Sequence, residues 1–312
     1  MVGIVSKNDE QVAKEAIESH PEMVLRLKDF AGWRINWRDK AQNIVELVQE
    51  LNLGLDSVVF IDDNPAERGR VREALPEVFV PDWPADKMRY AQALLSLPVF
   101  DTLTLSGEDR QRGRMYAAER ERRRLQTDVT SVEEWLDKLE LRVEIARLSE
   151  ANLERATQLL NRTNQMNLTT RRMTAGELWS WATESSRCVW TFRVVDRFGD
   201  SGITGLLGVQ VVAGSVEVVD FILSCRVFGR QIENLMTHVA VDYAQRVGAS
   251  EVKAVHHPTK KNGPCLDFWR RSGFTSPDGQ TFLWQASRAY PRPGFIAAVG
   301  IDSGAGALAS DA

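Results

Sequence analysis

In the first hundred residues, short apolar runs alternate with stretches in which apolar residues recur at helical spacing. The apolar runs predict strands at residues 2–5, 23–27, 57–61 and 78–80. The helical spacing predicts helices at residues 10–19 and 39–51. Strands that alternate with helices are typical of βα units around a parallel sheet. This part of the chain is therefore predicted to be an α/β domain.

From residue 139 onward the pattern changes to longer runs of β-branched and aromatic residues, with Gly or Asp between them. These runs predict antiparallel strands at residues 188–195, 203–212 and 215–224, followed by a helix at 231–247. Pro, Gly, Ala and Ser dominate the C-terminal residues, a composition typical of disorder. The predicted organisation is an α/β domain at 1–105, a helical linker at 106–138, an α+β domain at 139–288 and a disordered tail at 289–312.

Arg and Glu dominate residues 107–125 at helical spacing. Opposite charges three or four positions apart stabilise an exposed helix, so a solvated linker helix is expected. The alternative is that Arg122, Arg123 and Arg124 help to dock an acidic partner.

The overall composition is that of an ordinary globular protein. The chain has 312 residues, is 43% hydrophobic and carries a formal net charge of -4, which gives no reason to expect nucleic acid or an anionic membrane as partner. No apolar stretch could span a bilayer, and no signal-peptide pattern follows Met1. Three cysteines and four histidines show no zinc-ligand spacing, so a cytoplasmic protein is expected.

Polar groups follow the predicted elements of the first domain. Ser6 follows the first strand, Lys40 lies at the start of a helix, and Asp62 and Asp63 follow the strand at 57–61. Open parallel sheets bind ligands at the carboxyl ends of their strands. A hydroxyl can bond a phosphoryl oxygen, a lysine can offset its charge, and paired carboxylates can hold Mg²⁺. Each residue alone also fits an ordinary role as a helix cap, a solvated lysine or a turn.

The order of these residues resembles the haloacid-dehalogenase-type (HAD) phosphoryl-chemistry domain of FkbH-like proteins. The matching segments are VGIVSKND, FAGWRINWRDKAQNI and VVFIDDNPAERGRVREALPEV, and the resemblance extends to about residue 288. It implies that Ser6 binds phosphoryl oxygens and that Lys40 stabilises the phospho-intermediate. It also implies that Asp62 and Asp63 help to hold Mg²⁺, while Asn8 contacts the substrate.

One departure from the HAD pattern affects catalysis. HAD enzymes carry an Asp-x-Asp pair on a strand before the Ser motif, and its first carboxylate attacks phosphorus. No Asp-x-Asp occurs anywhere in this chain, so covalent phosphoryl catalysis lacks its nucleophile. Since Met1 falls inside the family's second strand, we expect a start assigned too late or a gene fragment, with impaired activity and folding.

A basic loop that contains glycine lies between the strand at 215–224 and the next helix. Backbone N–H groups at such a helix N-terminus can bind an anion. The loop resembles the GNAT acyltransferase loop that holds the pyrophosphate of coenzyme A or a phosphopantetheine arm. The resemblance implies that Arg226, Gly229, Arg230 and Gln231 bind the cofactor. Because Gln231 stands where a small residue is usual, tight coenzyme A binding is disfavoured.

Two further segments, NRTNQMNLTTRRMT and DRFGDSGITGLLGV, also resemble the FkbH-like family. In the first, Asn164, Gln165 and Asn167 offer donors and acceptors for a polar acyl group. The alternative is a loop whose amides bond its own backbone.

Cys225 is a candidate nucleophile or acyl carrier. It lies at a strand-to-loop junction near two arginines, and nearby cations favour a thiolate. The alternative is inert packing, which is expected for Cys188 and Cys265. His256 and His257 close a predicted strand, and either could serve as a base.

The FkbH-like resemblance implies a glyceryl transferase and phosphatase. Such proteins take the glyceryl unit of 1,3-bisphosphoglycerate, remove phosphate and load the unit on an acyl carrier protein as a polyketide extender unit. The implied cofactors are Mg²⁺ and a phosphopantetheine thioester, or coenzyme A, and the implied partners are the carrier protein and a small phosphorylated acid. Two alternatives stay open: an acyl-coenzyme A acyltransferase with a vestigial HAD half, and a non-catalytic remnant that binds carrier protein.

Overall fold

The computed structural model describes residues 1–51, 53–101, 118–119, 121–122 and 124–300. The chain divides into two compact units, Met1–Leu125 and Gln126–Ala312, and both combine helices with strands. The predicted α/β fold class is therefore confirmed. Most of the predicted linker helix, including Arg123, lies outside the described residues. Within them, Arg122 Nη1 lies 3.4 Å from the Glu119 carboxylate.

The first unit begins with two parallel strands that place their carboxyl ends side by side. These strands are β1 (Val2–Ser6) and β2 (Phe30–Ile35), and Ser6 is paired with Ile35. The helices of this unit that the structure describes from end to end are α1 (Glu10–Ser19), α2 (Lys40–Glu50), α3 (Pro65–Ala74) and α4 (Tyr90–Leu95). The first three begin at residues whose side chains accept backbone N–H groups of the first turn, namely Asp9, Asp39 and Asn64.

A second parallel pairing forms where strands were predicted at 57–61 and 78–80. Phe60 N donates to Phe79 O at 2.9 Å, and Phe79 N donates to Val58 O at 3.0 Å. Buried side chains of α2 and α3 pack on this pair, including Ile44 and Val71. Among the described residues, no strand joins this pair to β1 and β2.

The strand predicted at 23–27 is wrong. This segment is irregular, Val24 is 89% exposed, and a single 3-10 turn (Leu27–Asp29) follows it. Arg26 N donates to the Asp29 carboxylate at 2.8 Å, a local bond that competes with strand pairing. The strand begins instead at the buried Phe30.

The second unit is built on one large, mostly antiparallel sheet. Its strands are β3 (Arg142–Arg147), β4 (Met166–Asn167), β5 (Arg187–Asp196), β6 (Gly199–Val212), β7 (Ser215–Leu223), β8 (Glu251–Val255), β9 (Thr281–Gln285) and β10 (Ala297–Val299). The strand order is β10-β3-β5-β6-β7-β8-β9, and β4 pairs with β7. The helices are α5 (Val132–Lys138), α6 (Glu150–Arg162), α7 (Ala175–Ala182), α8 (Ile232–Arg246) and α9 (Gly263–Arg271). The strands and helix predicted between residues 188 and 247 are thus present, with slightly different ends.

The core of this unit contains an aromatic cluster centred on Trp269. Its ring lies 5.0 Å from that of Phe221 and 5.1 Å from that of Phe274, measured between centroids. Cys188 and Cys265 are also buried, as predicted. Burial raises the pKa of the Cys265 thiol to about 12, so this cysteine is inert packing.

The parallel strands β7 and β8 pair along only part of their length. The pairing covers Ser215 to Val218 of β7. Beyond it, β4 pairs with Ile222 and Leu223. His257 N then donates to Leu168 O at 2.9 Å. Residues 166–168 therefore fill the opening between β7 and the end of β8.

Residues 289–300 differ from the predicted disordered tail. β10 pairs in parallel with β3, and Ala297 N donates to Leu141 O at 2.9 Å. Tyr290 and Ile296 are buried. The Pro and Gly content suggested disorder, but these apolar side chains provide enough burial for a short edge strand. Residues 301–312 lie outside the described residues.

Among the helices that the structure describes, none is long and apolar enough to cross a membrane.

Candidate functional site

Hydrogen bonds join the segments that follow the strands of the first unit. Asn36, the residue after β2, donates its backbone N–H to the Ser6 carbonyl at 3.0 Å. Lys7 Nζ donates to the Glu67 carboxylate of α3 at 2.6 Å. These two bonds tie the segment after β1 to the segments after β2 and after Asp63.

Lys40 and Asp62 form the central contact of this group. Lys40 Nζ lies 2.6 Å from Asp62 Oδ2, and the two side chains are only 11% and 7% exposed. The other oxygen of the carboxylate, Oδ1, accepts the Asn64 backbone N–H at 2.9 Å. The structure thus brings together a cation and a carboxylate that stand 22 residues apart.

The turn after residue 61 is held in place by Arg68. Its Nη1 donates to the carbonyls of Asp62 and Asp63 at 2.7 and 3.0 Å. The Asp63 residue is exposed. Asn8 is also exposed, and its side-chain oxygen accepts the Asp9 N–H at 2.8 Å. The predicted substrate role of Asn8 stays a prediction.

The metal role predicted for Asp62 and Asp63 can be compared with the donors present. No three His, Cys, Asp or Glu side chains of the described residues are grouped to hold a metal ion. Mg²⁺ usually takes only one or two protein carboxylates and completes its shell with water and phosphate oxygens. Both Asp62 oxygens already accept bonds, from Lys40 and from the Asn64 N–H, so a metal ion would share this carboxylate, and the metal role of Asp62 and Asp63 stays a prediction.

In the second unit, the predicted anion-binding loop uses Arg230 for a different purpose. Arg230 is 2% exposed, and its Nη1 lies 3.1 Å from Asp196 Oδ2. Its Nη2 donates to the Arg226 carbonyl at 2.7 Å. The buried guanidinium thus binds the loop to the end of β5, which removes it from the set of exposed phosphate ligands. The sequence could not reveal this, because Asp196 stands 34 residues earlier.

The start of α8 is also unlike an open anion site. Gly229 and Gln231 have φ angles of 76° and 55°, so Gln231 is a left-handed residue with a side chain. Glu233, in the first turn, is half-buried with its Oε2 atom shielded from solvent, and burial raises the pKa of its carboxyl. When ionised, this carboxylate opposes a second anion at the helix N-terminus. The cofactor role of Arg226, Gly229 and Gln231 stays a prediction.

Cys225 is exposed at the start of the 3-10 turn Cys225–Val227. Its catalytic role stays a prediction. His256 is 2% exposed, and burial lowers its pKa. His257 is exposed.

The three candidate substrate-binding amides have different surroundings. Asn167 is fully buried, donates to the Thr163 carbonyl at 3.0 Å and accepts the Thr170 N–H at 2.8 Å. Its side chain therefore bonds its own loop. Asn164 is exposed and accepts a bond from Arg172 at 2.5 Å, whereas Gln165 is exposed and makes no side-chain bond among the described residues.

Asn164 also lines a cavity of about 360 Å³ that the sequence did not predict. We refer to this cavity as the basic groove. Its lining residues are Asn164, Thr170, Arg172, Thr259, Lys260 and Lys261. The adjacent lysines could have suggested an anion site from the sequence. Their proximity to Arg172 could not be predicted, because nearly ninety residues separate them along the chain.

Similar solved structures fall into two groups. The N-terminal part of BF1531 from Bacteroides fragilis, which contains a phosphatase domain complexed with Mg, is 47% identical. The match covers 34% of this chain and 28% of that chain, with a TM-score of 0.33. This chain therefore spans less than a third of the length of that structure.

The second group consists of acetyltransferases and related proteins. The ribosomal-protein-S18-alanine N-acetyltransferase from Escherichia coli is 10% identical over 45% of this chain and 89% of that chain, with a TM-score of 0.33. Rv2747 from Mycobacterium tuberculosis, solved with CoA and NLQ, is 15% identical over 43% of this chain and 72% of that chain, with a TM-score of 0.34. No protein-family model and no curated protein match the chain.

Proposed function

We propose that this chain is an FkbH-like protein that transfers the glyceryl unit of 1,3-bisphosphoglycerate to an acyl carrier protein thiol. The observation that best supports the proposal is the nearly buried contact between Lys40, at the start of α2, and Asp62. The first unit supplies phosphoryl chemistry, and the second supplies acyl transfer. The sequence identity to a phosphatase domain and the presence of acetyltransferases among similar structures support this division.

The transfer step forms a thioester. The carrier thiolate attacks the C1 carbonyl carbon, a C–S bond forms, and the C1–O bond to the phosphoryl group breaks. Inorganic phosphate leaves with the electron pair, and the thiol proton passes to solvent. Acyl phosphates are reactive enough that this step needs no carboxylate nucleophile.

The second step removes the C3 phosphate. Water supplies the new oxygen on phosphorus, the ester P–O bond breaks, and the C3 hydroxyl takes up a proton. Lys40 would offset phosphoryl charge, Ser6 would bond a phosphoryl oxygen, and Asp62 and Asp63 would hold Mg²⁺. The metal, when bound, would offset the negative charge of the phosphoryl group.

The absence of an Asp-x-Asp pair affects only the second step. We therefore expect this chain to stop at the 3-phosphoglyceryl thioester, with little conversion to the glyceryl thioester.

The acceptor is a carrier-bound phosphopantetheine rather than coenzyme A. Coenzyme A carries a diphosphate and a 3′-phosphate, whereas the carrier arm has a single phosphodiester. The buried carboxylate of Glu233 and the internal pairing of Arg230 disfavour the more highly charged ligand.

Intact-protein mass spectrometry of a holo-acyl carrier protein tests this function. The carrier is incubated with the chain, Mg²⁺ and freshly generated 1,3-bisphosphoglycerate, and apo-carrier without the thiol is the control. We expect a 3-phosphoglyceryl mass on the holo-carrier only. An unmodified holo-carrier overturns the proposal, and stabilisation of the chain by acetyl coenzyme A would then favour an ordinary acyltransferase.

The same spectra test Cys225. If its thiol carries the acyl group, the chain itself gains the phosphoglyceryl mass before the carrier does, and Cys225→Ser abolishes both products. Transfer by Cys225→Ser at the unchanged rate would show direct attack by the carrier thiol.

A further inference from the structure

We infer that the basic groove of the second unit binds a phosphate group. Three of its six lining side chains are cationic, and no carboxylate lines it. This site lies in the second unit and does not include Lys40 or Asp62; phosphate binding there does not rest on the proposed function, whereas binding of a phosphopantetheine arm would extend that function.

The charges of the two lysines are not neutralised by neighbours. Lys260 and Lys261 are exposed, and neither forms an ion pair in the described part of the chain. Arg172 is held differently, because its guanidinium donates to the Leu160 carbonyl and to Asn164 Oδ1. The groove therefore presents one hydrogen-bonded cation and two exposed ones, a combination that attracts an anion.

The basic groove has two walls, residues 164–172 and residues 259–261, and two buried asparagines connect them. Asn262 is fully buried, and its Nδ2 donates to the Asn167 carbonyl at 3.0 Å and to the His257 carbonyl at 2.9 Å. Its Oδ1 accepts the Thr259 N–H at 2.7 Å. Since Asn167 in turn accepts the Thr170 N–H, the walls at 164–172 and 259–261 are connected before any ligand arrives.

The backbone of Thr170 shows that the conformation of this wall is constrained by its surroundings. Its φ of 55° is rare for a β-branched residue, and such conformations persist where the surrounding structure imposes them. The next residue, Arg171, pairs with the fully buried Asp220 carboxylate and lies 4.2 Å from the Trp181 ring. These contacts fix the chain immediately before Arg172.

The chemistry of the groove favours a phosphoryl oxygen cluster. Ammonium groups bind phosphate as point charges, a guanidinium adds directed N–H donors, and threonine hydroxyls add neutral ones. The cavity is large enough for a phosphate with an organic group attached. Two sources share this chemistry: a free phosphorylated metabolite and a phosphopantetheine arm.

Equilibrium dialysis at low ionic strength tests the site with two probes, inorganic phosphate and 4′-phosphopantetheine. The whole chain is compared with a Lys260→Gln/Lys261→Gln double variant and with Lys138→Gln, which removes a lysine paired with Glu134 elsewhere on the same unit. We expect the double variant to lose one bound phosphate per chain, or to bind it about tenfold more weakly, and Lys138→Gln to bind normally. Lys260→Arg/Lys261→Arg should retain binding.

Each outcome decides the inference. Equal binding by wild type and the double variant overturns it, as does undetectable binding of both probes by the wild type. Phosphate held near Lys40 stays bound in the double variant and is counted separately. Tighter binding of phosphopantetheine than of phosphate identifies the arm as the source, and equal binding identifies a free phosphorylated compound. Neither carrier protein nor 1,3-bisphosphoglycerate is present, so failure of glyceryl transfer leaves this result intact.

Discussion

The Lys40 ammonium lies 2.6 Å from the Asp62 carboxylate, and both side chains are nearly withdrawn from water. Removing one partner of such a pair leaves a desolvated charge without compensation. This contact therefore links the stability of the first unit to its proposed chemistry.

Lys40→Ala should lower the free energy of unfolding of the first unit by about 3 kcal/mol, because it leaves the Asp62 carboxylate without its cation. The control is Arg38→Ala, which breaks an ion pair with Glu46 in which Arg38 is 50% exposed. Exposed pairs contribute little, so this variant should unfold almost like the wild type. Denaturant unfolding of both variants provides the comparison, and equal losses would contradict the buried-pair argument.

Gln231→Gly should stabilise the second unit by about 1 kcal/mol, since only glycine adopts a φ near 55° without steric cost. Gln231→Ala keeps the Cβ and should give no such gain. The midpoints of thermal unfolding measure both effects. A stabilised alanine variant would show that the glutamine side chain, and not the backbone, is the source of the cost.

Glu233→Gln should stabilise the protein at neutral pH, with a difference that grows as pH rises. Burial raises the pKa of Glu233, so the folded state binds more protons than the unfolded state between the two pKa values. Stability is therefore lost as pH rises through that window. The glutamine variant lacks this loss.

The pH dependence of unfolding for Glu134→Gln is an opposite control. The bond from Lys138, with further bonds from Thr130, lowers the pKa of Glu134 to about 2. Its stabilisation is present above the unfolded pKa and disappears as pH falls. The Glu233 variant should gain on the wild type as pH rises, and the Glu134 variant should fall behind it. Parallel pH profiles for both variants would refute this assignment.

Asn262→Ala should destabilise the second unit by about 2 kcal/mol, because it leaves the buried Asn167 carbonyl, the His257 carbonyl and the Thr259 N–H without their partner. Asn164→Ala, at an exposed residue of the same groove, should change stability little while weakening phosphate binding. Urea unfolding and phosphate dialysis of both variants separate the structural amide from the ligand-facing one. A fully stable Asn262→Ala protein would rule out the proposed joining of the walls.

The sequence predicted elements best where periodicity and burial agree. The helix predicted at residues 10–19 has those limits, and the long antiparallel strands appear nearly as expected. The run at 23–27 was apolar but not buried, as the exposed Val24 shows. Composition alone cannot distinguish such a run from a strand, because burial depends on the tertiary fold.

Site residues were predictable where the order of strands and helices along the chain indicates which loops lie next to each other. Lys40 begins α2 and Asp62 follows the paired segment at residues 58–60, and the parallel order of these elements brings the two side chains together. Arg230 illustrates the limit, since its distant partner Asp196 determines that the guanidinium is internal. The basic groove likewise depends on a bond between residues 95 positions apart, which no local pattern indicates.

The most direct test of glyceryl transfer is the amount of inorganic phosphate released per thioester formed on a holo-acyl carrier protein with 1,3-bisphosphoglycerate. Carrier-independent hydrolysis is subtracted using apo-carrier. We expect one phosphate for each thioester with this chain, because transfer proceeds and the C3 phosphate remains. Phosphate release that does not depend on the carrier thiol, with no thioester on the carrier, would show that the chain does not catalyse this transfer.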